Sequence, residues 1–328
     1  MSVLTAPPRP DARKLPLRLV RYAPGVFERF HDAGSRTFTA SLVPALFGES
    51  RFTGRFAAMC HVAGLRGIEF VGNAMTERGT RLEATAIAMV DEEKAGDGWQ
   101  SVRASAWARH PKIEGLIGSP DAVTWRPDDG GELVPGIGEV KVVADFVFQE
   151  RWLDGPPLDV ELQHQTQFAC TGATWGWIAA LVVGAFRWDL LVWETRPDPR
   201  VIPIIEAEVA KALADVESGD MGLPDDHRTS IEAAQKLWAP DPSKILNLND
   251  PESDDRLERW LQARADRLAA EKVEDAQSRY FAARALDHSL IRCPGGGSVK
   301  ISLHRRKAFT VEAQEVRRMD PKPAKEEA

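Results

Sequence analysis

Two short stretches decide the fold of this chain: Ser119-Pro120-Asp121 and Gly138-Glu139-Val140-Lys141. Each lies in a run of residues that favours a β-strand, at 116–125 and 138–143, and turn-forming residues separate the runs at 127–131. Two such runs joined by a turn predict a β-hairpin. Because side chains two apart on a strand share a face, Glu139 and Lys141 should emerge side by side, within reach of Asp121 on the neighbouring strand.

Two carboxylates and one ammonium group gathered in this way suit the hydrolysis of a phosphodiester bond. Asp121 and Glu139 offer the carboxylate oxygens that Mg²⁺ prefers, and the backbone carbonyl of Val140 could supply a further ligand. Lys141 could position or deprotonate the attacking water, or stabilise the transition state. The pattern is common by itself, and a surface hairpin with a weak Glu–Lys ion pair is the alternative.

Apolar periodicity predicts further elements on both sides of the hairpin. Helices are predicted at 39–47, 55–62, 74–90, 159–171 and 206–216. Further strands are predicted at 99–107, 175–183 and 186–193. This order of elements predicts the α/β class, with a small mixed β-sheet flanked by helices.

Composition shifts predict five segments along the chain. Residues 1–24 are rich in proline and should form a flexible N-terminal arm, followed by a catalytic domain at 25–222. Residues 223–255 are rich in Asp, Pro, Ser and Asn, which is typical of a linker with one short helix. A helical and β-hairpin C-terminal extension should occupy 256–320, and a disordered tail 321–328.

Two features of the predicted extension leave alternatives open. A helix at 256–286 has an apolar stripe, which is typical of core or coiled-coil packing. A hairpin that pairs 299–303 with 309–311 would display the basic cluster His304-Arg305-Arg306-Lys307. This cluster suits either contact with nucleic-acid phosphates or a solvated strand edge.

The composition is that of a globular protein, with 43% hydrophobic and 28% charged residues. Its apolar runs are too short to cross a membrane, and the N-terminus lacks the apolar core of a secretory signal, so we expect a cytoplasmic protein. The three cysteines lie far apart, which argues against a disulfide framework, a zinc ribbon and an iron–sulfur cluster. The net charge of −7 requires that any nucleic acid be bound by local basic patches.

Four blocks, in order over roughly residues 34–217, resemble the lambda exonuclease/YqaJ family of PD-(D/E)xK nucleases. They are Arg36-Thr37-Phe38-Thr39-Ala40-Ser41, Arg78-Gly79-Thr80-Arg81-Leu82-Glu83, Ser119-Pro120-Asp121 with Glu139-Val140-Lys141, and Gln163-His164-Gln165-Thr166-Gln167-Phe168-Ala169-Cys170-Thr171-Gly172. The resemblance implies a restriction-endonuclease-like core. The chain departs from the family in two places: Arg36 stands nearer to the TAS triplet than in lambda exonuclease, and His164 replaces an apolar residue.

The resemblance also implies roles for individual residues. Glu83, Asp121 and Glu139 would bind metal, together with the backbone of Val140, and Lys141 would be the catalytic lysine. Gln163 would orient the site or the scissile phosphate through its amide. The residues implied to contact DNA are Arg36, Ser41, Ser119, His164 and Gln165.

By the same resemblance, the protein would be a Mg²⁺-dependent exonuclease with two metal ions, for which Mn²⁺ could substitute. It would degrade one strand of double-stranded DNA from its ends, 5′ to 3′, leaving a 3′ overhang for a single-strand-annealing recombinase. A homo-oligomer such as a trimer and a phage or prophage setting are implied too. A structure-selective or restriction-type endonuclease and a non-catalytic DNA-binding scaffold are the alternatives.

Overall fold

The chain divides between Ala239 and Pro240 into two units, Met1–Ala239 and Pro240–Ala328. The computed structural model describes residues 17–22, 30, 32–65, 74–185, 188–238, 241 and 243–302. Most of the predicted arm at 1–24, the basic cluster at 304–307, the predicted strand at 309–311 and the predicted tail at 321–328 lie outside these residues.

In chain order, the described elements of the first unit are β1 (Val20–Arg21), β2 (Phe38–Thr39), α1 (Val43–Leu46), α2 (Arg55–Ala63), α3 (Ala74–Glu93), β3 (Gln100–Arg103), β4 (Ala106–Arg109), β5 (Leu116–Gly118), β6 (Ala122–Pro127), β7 (Leu133–Ala144), α4 (Asp145–Arg151), α5 (Leu158–Thr171), β8 (Gly176–Val183), β9 (Trp188–Thr195), α6 (Val201–Ser218) and α7 (Arg228–Leu237). The predicted helices at 55–62, 74–90 and 159–171 and the strand at 175–183 are confirmed. The strand predicted at 186–193 is confirmed from Trp188 onward, and residues 186 and 187 lie outside the described residues. The helix predicted at 206–216 begins earlier, at Val201.

The strands of the first unit form two mixed sheets. One has the order β3-β6-β7-β8-β9, and the other has the order β1-β4-β5-β2. Strands β7 and β8 pair in parallel, as do β2 and β5, whereas the other neighbours are antiparallel. The predicted hairpin of β6 and β7 and the predicted α/β class are confirmed. Small mixed sheets flanked by helices agree with the restriction-endonuclease-like core that the sequence resemblance implies.

Strand β8 is buried on both faces, which explains its unbroken apolar sequence. On one face its side chains join a core cluster with α3; these are Trp177, Ala179 and Leu181. On the other face they join a cluster with α4 and α5; these are Ile178, Ala180 and Val182. Helix α5 also contributes Leu162 and Cys170 to a further core, which the second sheet shares with α1, α2 and α6. The larger sheet thus lies between α3 on one face and α5 on the other.

Two runs that were predicted as single strands are each divided between the sheets. The run at 99–107 forms β3 in one sheet and β4 in the other, and the run at 116–125 forms β5 and β6 in the same way. The second division falls at Ser119-Pro120-Asp121, where Pro120 has no N–H to give to a ladder. Side-chain alternation describes a strand but not its partner, so it gives no sign that the chain changes sheets.

The helix predicted at 39–47 is shorter than predicted. Its first residue, Thr39, belongs to β2, and helix α1 begins at Val43. Pro44 lies in the first turn of α1, where its missing N–H costs nothing. In a helix that began at residue 39, the same proline would lie in the interior and break the helix.

Part of the predicted linker at 223–255 belongs to the first unit, which extends to Ala239 rather than 222. Asp225 Oδ2 accepts a hydrogen bond of 2.9 Å from the backbone N–H of Phe56, at the start of α2. Thr229 Oγ1 accepts one of 2.9 Å from the N–H of Gly54. Helix α7 then packs on α2. A composition typical of a linker here supplies the polar side chains that cap a helix.

The second unit contains α8 (Pro251–Ala285), β10 (Leu290–Arg292) and β11 (Ser298–Lys300). Helix α8 begins before the predicted residue 256, because Asp250 caps it and Pro251 occupies its first position. Strand β11 pairs with β10 across the glycines at 295–297. The described hairpin therefore uses 290–292 as a partner of this strand, and the predicted partner at 309–311 lies outside the described residues.

The apolar stripe of α8 is largely exposed within the described residues of the second unit. Trp260 is 44% exposed and Leu268 is 43% exposed, so the stripe is not part of a core there. The predicted coiled-coil packing stays a prediction. In the part of the chain that the structure describes, no helix, α8 included, is long and apolar enough to cross a bilayer.

Candidate active site

A notch opens in the larger sheet where β6 begins and β7 continues past it. The antiparallel pairing of β6 with β7 ends at Ala122 and Gly138, so the next residues of β7 have no β6 neighbour. The side chain of Asp121 takes the place of the strand, because its Oδ2 accepts a hydrogen bond of 2.8 Å from the N–H of Val140. The N–H and C=O of one strand residue point to the same side, so the carbonyl of Val140 also faces the notch.

Glu139 lies at the centre of the site and is only 1% exposed. Its Oε1 accepts hydrogen bonds of 2.6 Å from Lys141 Nζ and 2.6 Å from Gln163 Nε2. Its Oε2 accepts one of 2.7 Å from Gln167 Nε2. Burying a carboxylate costs free energy unless hydrogen-bond donors surround it. These three side chains therefore stabilise the buried carboxylate of Glu139.

Helix α5 supplies both glutamines because they are four residues apart. Side chains at this spacing share a helix face, and this face of α5 is turned towards Glu139 and Lys141. Gln163 Oε1 also accepts a hydrogen bond of 2.9 Å from Lys141 Nζ. The predicted pairing of Glu139 and Lys141 on one strand face is confirmed, and Gln163 binds both.

Glu83 reaches the same cavity from α3, on the other side of the sheet. The cavity has a volume of about 320 Å³ and is lined by Tyr22, Thr39, Ala40, Ser41, Gly79, Thr80, Glu83, Ile117, Ser119, Asp121, Glu139, Val140, Lys141, Val142 and Gln163. The carboxylate of Glu83 is engaged by Arg103, with 2.7 Å from Nε to Oε1 and 3.3 Å from Nη2 to Oε2.

A larger cavity, of about 530 Å³, lies beside the end of α3 and β9. It is lined by Met89, Glu92, Glu93, Trp188, Asp189, Leu190 and Leu191. None of the predicted site residues lines this cavity.

The charges at the notch act on one another. Burial and the negative charge of Glu139 raise the pKa of Asp121 well above its usual value, Glu83 adds to this, and Lys141 opposes it. Burial lowers the pKa of Lys141, but the charges of Glu139 and Asp121 outweigh it, so the pKa is raised. Negative charge thus gathers around a single ammonium group, an arrangement that a divalent cation would stabilise.

The donor atoms at the notch are oxygens, from the carboxylates of Asp121, Glu139 and Glu83 and the carbonyl of Val140. Such donors suit Mg²⁺, which proteins hold through one or two carboxylates while water and substrate phosphate complete its shell. Among the described residues, no three His, Cys, Asp or Glu side chains stand ready to ligate one ion. Asp121 and Glu139 are the carboxylates that could hold such an ion, with other ligands completing its shell.

The structure brings two of the predicted DNA-contacting residues to the cavity and leaves Arg36 outside its lining. Ser41 is exposed, and its Oγ lies 3.0 Å from Thr39 Oγ1. Ser119 Oγ donates a hydrogen bond of 3.0 Å to the carbonyl of Ala106. Arg36 is exposed with a backbone φ of 51°, and it is not among the residues that line the cavity.

The predicted DNA contact of Gln165 is not supported by its position. Side chains two positions apart on a helix point to nearly opposite sides, so Gln165 faces away from Gln163 and Gln167. Its Nε2 donates a hydrogen bond of 2.9 Å to the carbonyl of Arg196, and its Oε1 accepts one of 2.8 Å from the N–H of Asp198. Gln165 therefore holds the loop between β9 and α6.

The prediction that His164 contacts DNA is wrong, because the residue is buried and only 1% exposed. Its Nδ1 lies 3.0 Å from Gln167 Oε1, and its Nε2 lies 2.9 Å from Thr195 Oγ1. Burial lowers the pKa of His164 to about 4, although the hydrogen bond with Gln167 opposes this. A neutral, enclosed ring cannot reach a phosphate.

Three side chains at the site were not predicted from the sequence. Gln167 binds Glu139, and Arg103 binds Glu83. Tyr22 lines the cavity and bonds to Ser119; burial raises the pKa of its phenol, and the charge of Asp121 adds to this. Only Gln167 had a usable signal in the sequence, its spacing of four residues from Gln163.

No family model and no curated protein matches the chain. The chain is similar to the crystal structure of an alkaline exonuclease (LHK-Exo) from Laribacter hongkongensis, at 25% identity and a TM-score of 0.46, over 64% of this chain and 100% of that chain. The structure of LHK-Exo in complex with dAMP has 24% sequence identity and a TM-score of 0.44, over 56% of this chain and 90% of that chain. The structure of a phage-related exonuclease from Haemophilus somnus 129PT has 16% sequence identity and a TM-score of 0.41, over 57% of this chain and 96% of that chain. All three are structures of exonucleases.

Proposed function

We propose that this protein is a metal-dependent deoxyribonuclease that degrades one strand of linear double-stranded DNA from its end. The proposed direction is 5′ to 3′, which would leave 3′ overhangs for homologous recombination of the phage type. One observation supports the proposal above all: Asp121, Glu139 and Lys141 converge at the notch beside β7, with an open cavity in front of them.

The proposed cofactor is Mg²⁺, as two ions, with Mn²⁺ as a substitute. When bound, the metal would supply an activated water and neutralise charge on the phosphoryl oxygens. Asp121 and Glu139 would hold it, with the carbonyl of Val140 as a further ligand. Glu83 would join them where Arg103 releases its carboxylate.

Lys141 is fixed in place by two acceptors. Its ammonium has three N–H donors, of which Glu139 Oε1 and Gln163 Oε1 take two. One N–H is left to position the attacking water or to stabilise charge on a phosphoryl oxygen. Gln163 in this account acts by holding Lys141 and Glu139 together, since both ends of its amide are engaged within the site.

The DNA end would enter through the part of the cavity that Thr39, Ala40 and Ser41 line. The hydroxyl of Ser41 is exposed there and can donate a hydrogen bond to a terminal phosphate. The guanidinium of Arg103, which is bonded to the cavity-lining Glu83, is the proposed second anion partner. This basic group is local, as an acidic chain with a net charge of −7 requires.

The deciding experiment compares linear duplex DNA with closed circular DNA, each incubated with Mg²⁺ or with a chelator. We expect Mg²⁺-dependent loss of the linear DNA alone, and end-labelling would then give the direction. The control is Glu139→Gln, which keeps the shape of the side chain but removes its charge. Cleavage of circles would replace the proposal with an endonuclease, and binding without cleavage would replace it with a scaffold.

The proposed partners are a single-strand-annealing recombinase and further copies of this chain, in a ring such as a trimer. The family resemblance of the sequence supports both. Light scattering of the purified protein measures its mass in solution, and a monomer at working concentration would remove the ring from the proposal.

A further inference from the structure

The amide of Gln167 can have only one orientation. Its Nε2 lies 2.7 Å from Glu139 Oε2 and 3.1 Å from the carbonyl oxygen of Ser119. Both of these atoms accept hydrogen bonds, so the amide must present its NH₂ group to them. The opposite orientation would place a carbonyl oxygen against a carboxylate and a second carbonyl, and this would leave two acceptors buried without a donor.

The orientation of Gln167 in turn fixes the proton on His164. Gln167 Oε1 must accept, and it lies 3.0 Å from His164 Nδ1, so Nδ1 carries the hydrogen. In the neutral ring Nε2 is then an acceptor, and it lies 2.9 Å from the hydroxyl of Thr195. The donors therefore follow one direction, from Thr195 at the end of β9, through His164 and Gln167, to Glu139.

Packing also keeps the His164 ring in the orientation that these two hydrogen bonds need. The ring meets Phe168 edge to face, with centroids 4.6 Å apart and an interplanar angle of 64°. Gly176 lies on another side, where an added Cβ would stand 3.1 Å from His164 Nε2. The imidazole thus has little freedom to turn, and both of its nitrogens are already engaged.

From this geometry we infer that His164 is a positioning residue, which acts through Gln167 to fix the Oε2 side of the Glu139 carboxylate. Lys141 and Gln163 hold Oε1 from the open side of the site, whereas Gln167 holds Oε2 from the buried side. The same Gln167 nitrogen also binds the backbone at Ser119, two residues before Asp121. The network therefore sets the distance between the two carboxylates proposed to bind metal. Its effect on catalysis rests on the proposed function, but the hydrogen-bond direction does not.

The hydrogen-bond direction is tested without any substrate. A ¹⁵N–¹H correlation spectrum of histidine-labelled full-length protein, at neutral pH, distinguishes a proton on Nδ1 from one on Nε2, and His164→Asn assigns the signal. We expect the Nδ1–H form in the wild-type protein. A proton on Nε2, or a charged ring, would overturn the inference.

Two substitutions of His164 separate the two nitrogens. Asparagine places its amide near the position of Nδ1 and can still donate to Gln167, whereas glutamine places its amide near Nε2 and cannot. We expect His164→Asn to retain at least about ten times the kcat of His164→Gln, with a KM for linear DNA that differs by less than about threefold. Equal kcat values for the two variants, at equal unfolding temperatures, would contradict the inference.

A binding measurement keeps the inference separate from the proposed function. Titration of the protein with Mn²⁺ alone, followed by calorimetry, gives the metal affinity without DNA. We expect Gln167→Met, which keeps the length of the side chain but cannot donate, to weaken Mn²⁺ binding by about tenfold to a hundredfold. Unchanged Mn²⁺ affinity in a folded variant would contradict the positioning role. A wild-type protein that binds Mn²⁺ but cleaves no DNA would contradict the proposed function alone.

Discussion

Lys141 Nζ and Gln163 Nε2 lie at the same distance, 2.6 Å, from one oxygen atom of Glu139. The two donors reach this oxygen from different elements, a strand and a helix, and Lys141 Nζ also donates a hydrogen bond to Gln163 Oε1. Three side chains that hold one another in this way give a site whose geometry exists before any substrate arrives.

Loss of the ammonium group should slow hydrolysis strongly while the protein stays folded. Lys141→Met keeps the side-chain stem but removes the donor that faces the cavity, so we expect the single-turnover rate on linear DNA to fall by roughly a hundredfold or more. Lys112→Met, at an exposed lysine on the loop between β4 and β5, is the matched control. Circular dichroism and the unfolding temperature report the fold. Robust activity of Lys141→Met would remove this lysine from the catalytic assignment.

The terminal phosphate of the DNA should matter through Ser41. If the exposed hydroxyl of Ser41 binds a 5′ phosphate, dephosphorylated ends should be degraded more slowly, because a charge-assisted hydrogen bond is lost. Ser41→Ala should shrink the difference between the two kinds of end. Ser218→Ala, at the exposed end of α6, should leave the difference as it is. Equal rates on both ends in the wild-type protein would rule out an end-binding pocket.

Gly54 should tolerate no side chain. A Cβ at this position would collide with Ser230 and Asp225 and lie 2.7 Å from His227 Cβ, so Gly54→Ala should lower the free energy of unfolding by about 1–3 kcal/mol. Gly79→Ala is the matched control, because a Cβ there meets nothing within 4 Å. Removing a glycine from helix α3 should stabilise the protein by about 0.5–1 kcal/mol. Urea unfolding measures both, and a Gly54→Ala protein of normal stability would show that 225–230 does not lie against α2.

Acid should destabilise the protein partly through His164. Its pKa is about 4 in the folded chain and 6.5 in its ordinary state, so the unfolded chain takes up the proton first as the pH falls. The stabilisation from a neutral His164 is complete above about pH 6.5 and is lost towards pH 4, with a slope of up to about 1.4 kcal/mol per pH unit. Glu139 and Lys141 are the charged groups that act on the ring. Urea unfolding over this range should show the slope in the wild-type protein, and a reduced slope in His164→Asn. Parallel curves for the two proteins would contradict this assignment.

The centre of the site could be predicted from the sequence because local rules decide it. A period of two places Glu139 beside Lys141, and a turn-joined hairpin brings Asp121 close to both. The spacing of four residues on a helix also selects Gln167, and not Gln165, as the second glutamine on the face of Gln163. The error at His164 has a similar origin, since the family resemblance implied a DNA contact for a residue that faces the core.

The rest of the site depends on contacts that the sequence does not reveal. Arg103 reaches Glu83 only because β3 pairs with β6, and Tyr22 reaches the cavity because β1 pairs with β4. Both pairings follow from the division of apolar runs between two sheets, at 104–105 and 119–121. Alternation along a strand cannot predict this division, because the pattern is the same whichever strand becomes the neighbour.

The segment that covers the start of α2 has a practical consequence for anyone who shortens this protein. A version that stopped at residue 222, where composition suggests a natural boundary, would strip Phe56 and Ala57 of the Asp225 and Ser230 oxygens that accept their N–H groups. It would also bare the apolar side of α2 that α7 covers. Such a fragment should be prone to aggregation, whereas one that continues through Trp238 retains the cap and the cover together.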